Sequence, residues 1–377
     1  MPAANRTASL RQRHFRTLEA VGNGSRTLAK IGVFAGLAGA ASGAVLRDLA
    51  EAGLAACVVN DIDGRDEEAW QLTDAGRATL DGARAMPSVA GKRGRGGKLE
   101  VGCLAPFFGS NRMLAPEVGR LLRGCTWVGV PFVGSFAEVP LIEARTIVCN
   151  DLHCHLMNLA KVAADPLLGP ALRFRLRKTP FADLELRQAQ SHCRELELAM
   201  VDGGWDGEPN LDWAVDYFIA AWTSRNGLAG TKGEFKAPLS VRWDAQGGDS
   251  VRRFRNAAAG LVAWADVLQR CTLLCMDALE FLERCKDLPL TGIYCDPPFL
   301  GAGDAYKHRF GEHEHARLAQ KLVGFRFATV VARLYETDDV GRLYPEGKWA
   351  YNRFKGRKQT NRDAPEVLLS RNAKEQT

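Results

Sequence analysis

An apolar run that is forced to stop is the most constraining feature of this sequence. Leu290 to Cys295 reads as a short buried strand, and it leads straight into Asp296-Pro297-Pro298-Phe299. Proline lacks the backbone donor that a sheet ladder needs, so the strand ends at Asp296. An acid at the carboxyl end of a strand lies where open α/β sheets place their ligand crevices. The four residues suit chemistry on an exocyclic amine, whose lone pair is withdrawn into its ring. Asp296 can accept one N–H bond and the Pro297 carbonyl the other, drawing the nitrogen toward a nucleophilic shape. Phe299 can then stack on a base turned out of its duplex. An ordinary strand-to-loop turn could carry the same four residues, so the surrounding chain has to decide.

At 377 residues, with 46% hydrophobic and 25% charged side chains, the chain has room for two domains and a packed core. A net charge of +6 permits a polyanionic partner without demanding one. The ten cysteines include no Cys-x-x-Cys pair, and several lie in apolar runs, which predicts buried thiols in a reduced, cytoplasmic protein. Cys149, His153, Cys154 and His155 cluster, but neighbouring positions on one element point apart, so no metal is expected there. The uncharged stretch Ile31 to Leu46 is shorter than the roughly 20 residues of a membrane span and is mostly Gly and Ala, so no membrane helix is expected.

Residues 1–85 read as three helices, two short strands and a closing helix. Phe15 and Leu18 share one face of the first helix, Thr27 can cap the second, and Ser42 can cap the third, which Gly53 ends. Ala56 to Val59 and Ala69 to Leu72 flank a polar tip. Trp70-Gln71-Leu72-Thr73-Asp74-Ala75-Gly76-Arg77 resembles the wing-to-helix junction of bacterial winged-helix regulators. That resemblance implies a third helix in the major groove, with Arg47 as its basic side chain. The acidic wing (Asp61, Asp63, Asp66, Glu67, Glu68) equally suits a docking or dimerising role. Residues 86–98, with Gly-Lys-Arg-Gly-Arg-Gly-Gly-Lys, form a basic linker.

From residue 99 the pattern becomes α/β. Trp127 to Phe132, Thr146 to Cys149, Thr272 to Met276, Leu290 to Cys295 and Phe327 to Leu334 are the expected core strands, with a hairpin of Tyr351 to Phe354 and Glu366 to Ser370 at one edge. Gly134 and Ser135 follow the first strand and let backbone approach a ligand closely. Asp151 ends the second strand, placed for ribose hydroxyls, and Asp277 ends the third, where it can bond an adenine amino group.

Over Leu104 to about Asn372 the chain resembles the Dam-like class of adenine-N6 DNA methyltransferases. Phe107, Phe108, Gly109 and Asn111 look like that family's N-terminal cofactor motif, and Pro131, Phe132, Gly134 and Ser135 like its methionine-binding loop. Asn150-Asp151-Leu152 resembles the ribose motif and Asp296-Pro297-Pro298-Phe299 the catalytic one. Asn226-Gly227-Leu228, Gly233-Glu234-Phe235 and Pro238 resemble part of the target-recognition region. The resemblance implies a Rossmann-like domain that binds S-adenosyl-L-methionine and acts on double-stranded DNA by base flipping, with no metal. The family usually has an acid at Val130, a second glycine at Phe136, a lysine at Asn111, a tyrosine at Phe299 and an asparagine at Lys236. Cytosine-5 chemistry needs a nucleophilic thiol, usually in a Pro-Cys pair, and the chain has none.

The stretch of about 165–264 is too long for a simple connection and is expected to form an inserted target-recognition lobe. Candidates for DNA contact are Asn226, Lys232, Lys236 and Arg253 there, and Lys355 and Arg357 in the C-terminal hairpin, where cations and aromatics mix. Tyr306-Lys307-His308 is expected as a loop ordering over the flipped base, and His313 and His315 as the start of a helix. The fold expected is thus a winged-helix module tethered to a Rossmann-like methyltransferase domain, with oligomeric state left open. Methylation of RNA adenine or cytosine-N4, and a DNA-binding regulator with a vestigial fold, stand as alternatives.

Overall fold

The computed structural model describes residues 17, 21, 46, 47, 49, 50, 55–62, 65–74, 77, 102–107, 113–203, 205–225, 229–243, 248–300, 306–308, 310–354 and 365–373. Before the linker, β1 (Ala55–Ile62) and β2 (Arg65–Leu72) pair antiparallel, with Ala55 opposite Leu72. Leu46, Leu49, Ala55 and Trp70 are buried, and Arg47 is exposed. Most of the helices expected in 1–85 lie outside the described residues.

The rest is built on a seven-stranded sheet. Its strands are β3 (Trp127–Val130), β4 (Thr146–Asn150), β5 (Cys271–Leu274), β6 (Thr291–Cys295), β7 (Thr329–Tyr335), β8 (Ala350–Arg353) and β9 (Glu366–Arg371), in the order β5-β4-β3-β6-β7-β9-β8. The first five run parallel; β9 runs antiparallel to both its neighbours. The expected hairpin is present, but its second strand is not at the edge: β9 lies between β7 and β8. β3 is shorter than the Trp127–Phe132 expected because Pro131 removes the donor that would continue the ladder.

Side chains alternate across the sheet, as strand geometry requires. Tyr294, Val331 and Leu368 join one core; Ile293, Cys295, Val330, Ala332, Val367 and Leu369 join the other. The first core is covered by α2 (Cys154–Ala164), α3 (Leu168–Lys178), α5 (Leu211–Thr223) and α6 (Ser250–Leu268), with α4 (Asp183–Gly203) packed on α5. α1 (Ala115–Leu121) precedes β3. The second core is covered by α7 (Ala278–Arg284) and α8 (Glu312–Gly324), with α9 (Asp338–Leu343) after β7. Parallel strands buried on both faces are why these segments read as continuous apolar runs.

The stretch 165–264 is not set apart from the sheet. It contributes α3 to α6 to the sheet's own core, and Trp264 packs edge-on against Phe136, ring centroids 6.4 Å apart. The reason lies in α5, which is buried nearly all round (Leu211, Trp213, Tyr217, Phe218) and so must sit inside a core. Among the described residues no helix is long and apolar enough to cross a membrane.

Candidate functional site

The order of the sheet reverses at β3, which has β4 on one side and β6 on the other. Open parallel sheets bind ligands at such a switch point, beyond the carboxyl ends of the strands. A cavity of about 350 Å³ lies there, bordered by Pro131, Phe132, Gly134 and Ser135 after β3, Asp151 after β4, Asp277 after β5, and Asp296 and Pro298 after β6. These residues come from separate parts of the sequence analysis, and the fold brings them to one hollow together with Phe107.

Asn150, fully buried, pins three strand ends. Its amide nitrogen donates to the Pro131 carbonyl (3.0 Å) and the Met276 carbonyl (2.9 Å), while its oxygen accepts from the Met276 amide (3.0 Å). Asp151 accepts from the backbone amides of Gly134 (2.8 Å) and His153 (3.0 Å), which ties the turn after β3 to the end of β4. Burial pushes its carboxyl up, with His153 and those amides acting the other way. Asp277 caps α7 through bonds from the Leu279 and Glu280 amides.

In the turn after β3, Phe136 has φ +62° and is fully buried. A left-handed non-glycine residue costs about 1–2 kcal/mol, whereas a lost core aromatic costs about 3–5 kcal/mol, so packing against Trp264 holds the strained conformation. Val130 is buried and does not border the cavity.

Asp296 does not stand alone at its strand tip. It accepts from Arg333 Nη1 at 2.8 Å, and Arg333, on the adjacent β7 and 1% exposed, also pairs with Glu366 on β9 at 3.0 Å. Burial raises the Asp296 carboxyl and Arg333 opposes the rise. Phe299 is buried against Tyr335 (centroids 4.1 Å), with the Arg333 guanidinium 5.2 Å from its ring. Neither Phe299 nor Pro297 borders the cavity; the adjacent Pro298 does, and its carbonyl accepts from His315 Nε2 at 2.8 Å. His315 lies in the first turns of α8, as expected. Tyr306, also bordering the cavity, offers an aromatic ring there.

Glu138 carries no motif and the sequence analysis passed over it. It precedes the short 3₁₀ turn Val139–Leu141, without a side-chain bond to it, and is 5% exposed while bordering the cavity. Burial, and then the nearby Asp296 carboxylate, push it up to about 7.

A second charged cluster closes the cavity's rim. Glu234 accepts from His153 Nε2 (2.8 Å), Lys307 Nζ (3.2 Å) and the Gly230 amide (3.2 Å), and Lys307 also pairs with Glu197 (2.9 Å). Burial raises Glu234, but His153 and Lys307 outweigh it and the carboxyl lies below its usual range. The backbone bridge between Thr231 and Tyr306 and the Lys307 amide bond to the Gly230 carbonyl join the two segments, so Tyr306-Lys307-His308 packs against 229–236. His308 is pushed down to about 4 by burial. Gly230 has φ +82°, and a Cβ there would fall 2.3 Å from the Phe107 ring, so only glycine fits.

Of the proposed DNA contacts, Lys232, Lys236 and Arg253 are exposed, and Arg253 also reaches the Trp222 carbonyl at 3.4 Å. Phe108, Gly109, Asn111, Asn226, Lys355 and Arg357 lie outside the described residues. Arg255 instead caps α3, donating to the carbonyls of Leu176, Arg177 and Thr179. No group of three metal-ligating side chains occurs among the described residues. Searched against protein-family models and curated proteins, the chain matches none.

Proposed function

We propose that the chain is a DNA methyltransferase that uses S-adenosyl-L-methionine to methylate the N6 amino group of adenine. One observation carries this reading: Gly134, Asp151, Asp277 and Asp296, each at the end of a neighbouring strand, border a single cavity at the switch point of the sheet. The cavity also favours this cofactor on charge. Glu138, Asp151, Asp277 and Asp296 border it, so phosphates of a dinucleotide would be repelled, whereas a cationic, phosphate-free cofactor is attracted.

In this reading Gly134 and Ser135 let the backbone close on the methionine end, Asp151 faces the ribose, and Asp277 takes the adenine amino group. The cofactor supplies an electrophilic methyl group. Asp296, positioned by Arg333, accepts an N–H bond from the target amine and concentrates the lone pair on nitrogen. Because Phe299 is buried beneath Arg333, stacking on the target base falls to Tyr306, with Pro298 beside it. The exposed Lys232 and Lys236 next to the rim are suited to backbone phosphates. The 1–85 module, with Arg47 exposed, is assigned to added duplex contact.

The test is to incubate the protein with duplex DNA, duplex RNA and methyl-labelled cofactor. Label is expected in DNA adenine, falling at least about 100-fold with Asp296→Ala, on the scale of a lost preorganised polar group. Label that survives Asp296→Ala, or enters only RNA or cytosine, overturns the assignment.

A second reading, a DNA-binding protein with a vestigial methyltransferase fold, is favoured by one observation: Asp296 already accepts from Arg333. Calorimetry separates the two, since a vestigial domain gives no saturable heat with S-adenosyl-L-methionine.

A further inference from the structure

The buried charges at the strand tips do not balance. Glu138, Asp296 and Glu366 gather around one guanidinium, Arg333, and each carboxylate acts on it electrostatically. Elsewhere on the cavity wall the cations are committed or distant. Lys307 is held by Glu234 and Glu197, burial keeps His308 neutral near neutral pH, and Arg317 is exposed. Tyr294, beneath Glu138 on β6, is fully buried and adds no positive charge. Taking ions out of water is repaid only by opposite charge, so among the described residues this cluster is short of a cation on the side that faces the cavity.

Glu138 is the member left without the guanidinium. Asp296 and Glu366 both touch Arg333, while Glu138 lies one strand further along, on the turn that leaves β3. That turn directly follows Pro131 to Ser135, the segment read as the methionine-binding loop.

We propose that Glu138 receives the ammonium group of the cofactor's amino-acid end. The proposal rests on the methyltransferase reading and names the residue that fixes one end of its cofactor. Binding then completes the charge of the cluster. Without ligand, the Asp296 carboxylate and burial keep Glu138 partly protonated near neutral pH, so ligand binding should release a proton.

The test needs no catalysis. S-Adenosylhomocysteine and 5′-methylthioadenosine share the nucleoside and thioether, but only the first carries the ammonium and carboxylate. Their affinities are measured by calorimetry for the native chain and Glu138→Gln. The variant should weaken S-adenosylhomocysteine by about 10- to 100-fold, the range for a hydrogen bond to a charged group, and leave methylthioadenosine within about twofold. In the native chain, S-adenosylhomocysteine binding should tighten from about pH 5.5 to about pH 7.5, below the ammonium's own deprotonation, and this dependence should vanish in the variant. Should the variant not fold, the native pH dependence decides, because methylthioadenosine must not share it. Equal losses for both ligands, or none, overturn the proposal while the cofactor reading stands. If the native chain binds neither S-adenosylhomocysteine nor S-adenosyl-L-methionine, both fall.

Discussion

Two buried charge clusters border the same cavity, and they are balanced differently. At the rim, Glu234 and Glu197 meet Lys307 and His153, and the group closes on itself. At the strand tips, Glu138, Asp296 and Glu366 share Arg333. A self-satisfied cluster stabilises a conformation: it holds 229–236 and 306–308 against the start of α2. A cluster short of positive charge carries a standing cost that a cationic ligand removes. The first therefore reads as architecture and the second as a place prepared for a ligand.

The comparison breaks most sharply at Arg333. Arg333→Met leaves Asp296 and Glu366 buried without their cation, and urea unfolding should show a loss of about 3–5 kcal/mol, as for a buried ion pair stripped of one partner. A loss below about 1 kcal/mol, the ordinary value for an exposed pair, would mean that the tip cluster is solvated after all.

At the rim, Glu234→Gln should cost less, about 2–3 kcal/mol, because Lys307 keeps Glu197. The sign with pH follows from the lowered Glu234 carboxyl. Its contribution is complete above the unfolded value, about 4.3, and fades as pH falls through the lower folded value. The native-minus-variant difference in unfolding free energy should therefore be flat from neutral pH to about pH 5 and shrink below that. A difference that instead grows on acidification would contradict the pairing.

Gly230→Ala sharpens the link between rim and cavity. The added methyl meets the Phe107 ring, and alanine at positive φ is strained by about 1–2 kcal/mol. Cofactor affinity measured by calorimetry should fall with it; unchanged affinity would detach Phe107 from the site.

The smallest effect has the opposite sign. Glu138, raised to about 7, holds a proton in the folded state that the unfolded chain releases. Its contribution is full below the unfolded value near 4.3 and is lost as pH rises through about 7. Glu138→Gln should therefore stabilise the ligand-free protein relative to the native chain at about pH 8, and the gain should vanish by about pH 4. Thermal melts at the two pH values read this directly.

The strand tips were legible in sequence because proline and strand period fix where a run must end. Asp151, Asp277 and Asp296 each follow such an end, and all three reach the cavity. What sequence could not convey was side-chain destination. Phe299 follows the tip as expected but is drawn beneath Arg333, a partner 34 positions away that no local pattern names. Arg333 and Glu138 did leave a signal: each is a lone charge inside an apolar run, Thr-Val-Val-Ala-Arg-Leu-Tyr and Phe-Ala-Glu-Val-Pro-Leu-Ile. Charged residues enter such surroundings only with partners or a purpose. The lobe expected at 165–264 was misjudged on length, whereas the all-round apolar character of α5 already demanded a shared core.

The position of β9 has a consequence in time. Synthesis delivers Asp296 first, then Arg333, then Glu366, and β9 enters the sheet between β7 and the β8 strand made just before it. A nascent chain halted between Arg333 and Glu366 holds the guanidinium without its β9 partner and with an open edge on β7, the condition that invites mispairing. The charged tip therefore cannot be finished piecemeal: it matures in one step, when the last strand slots home.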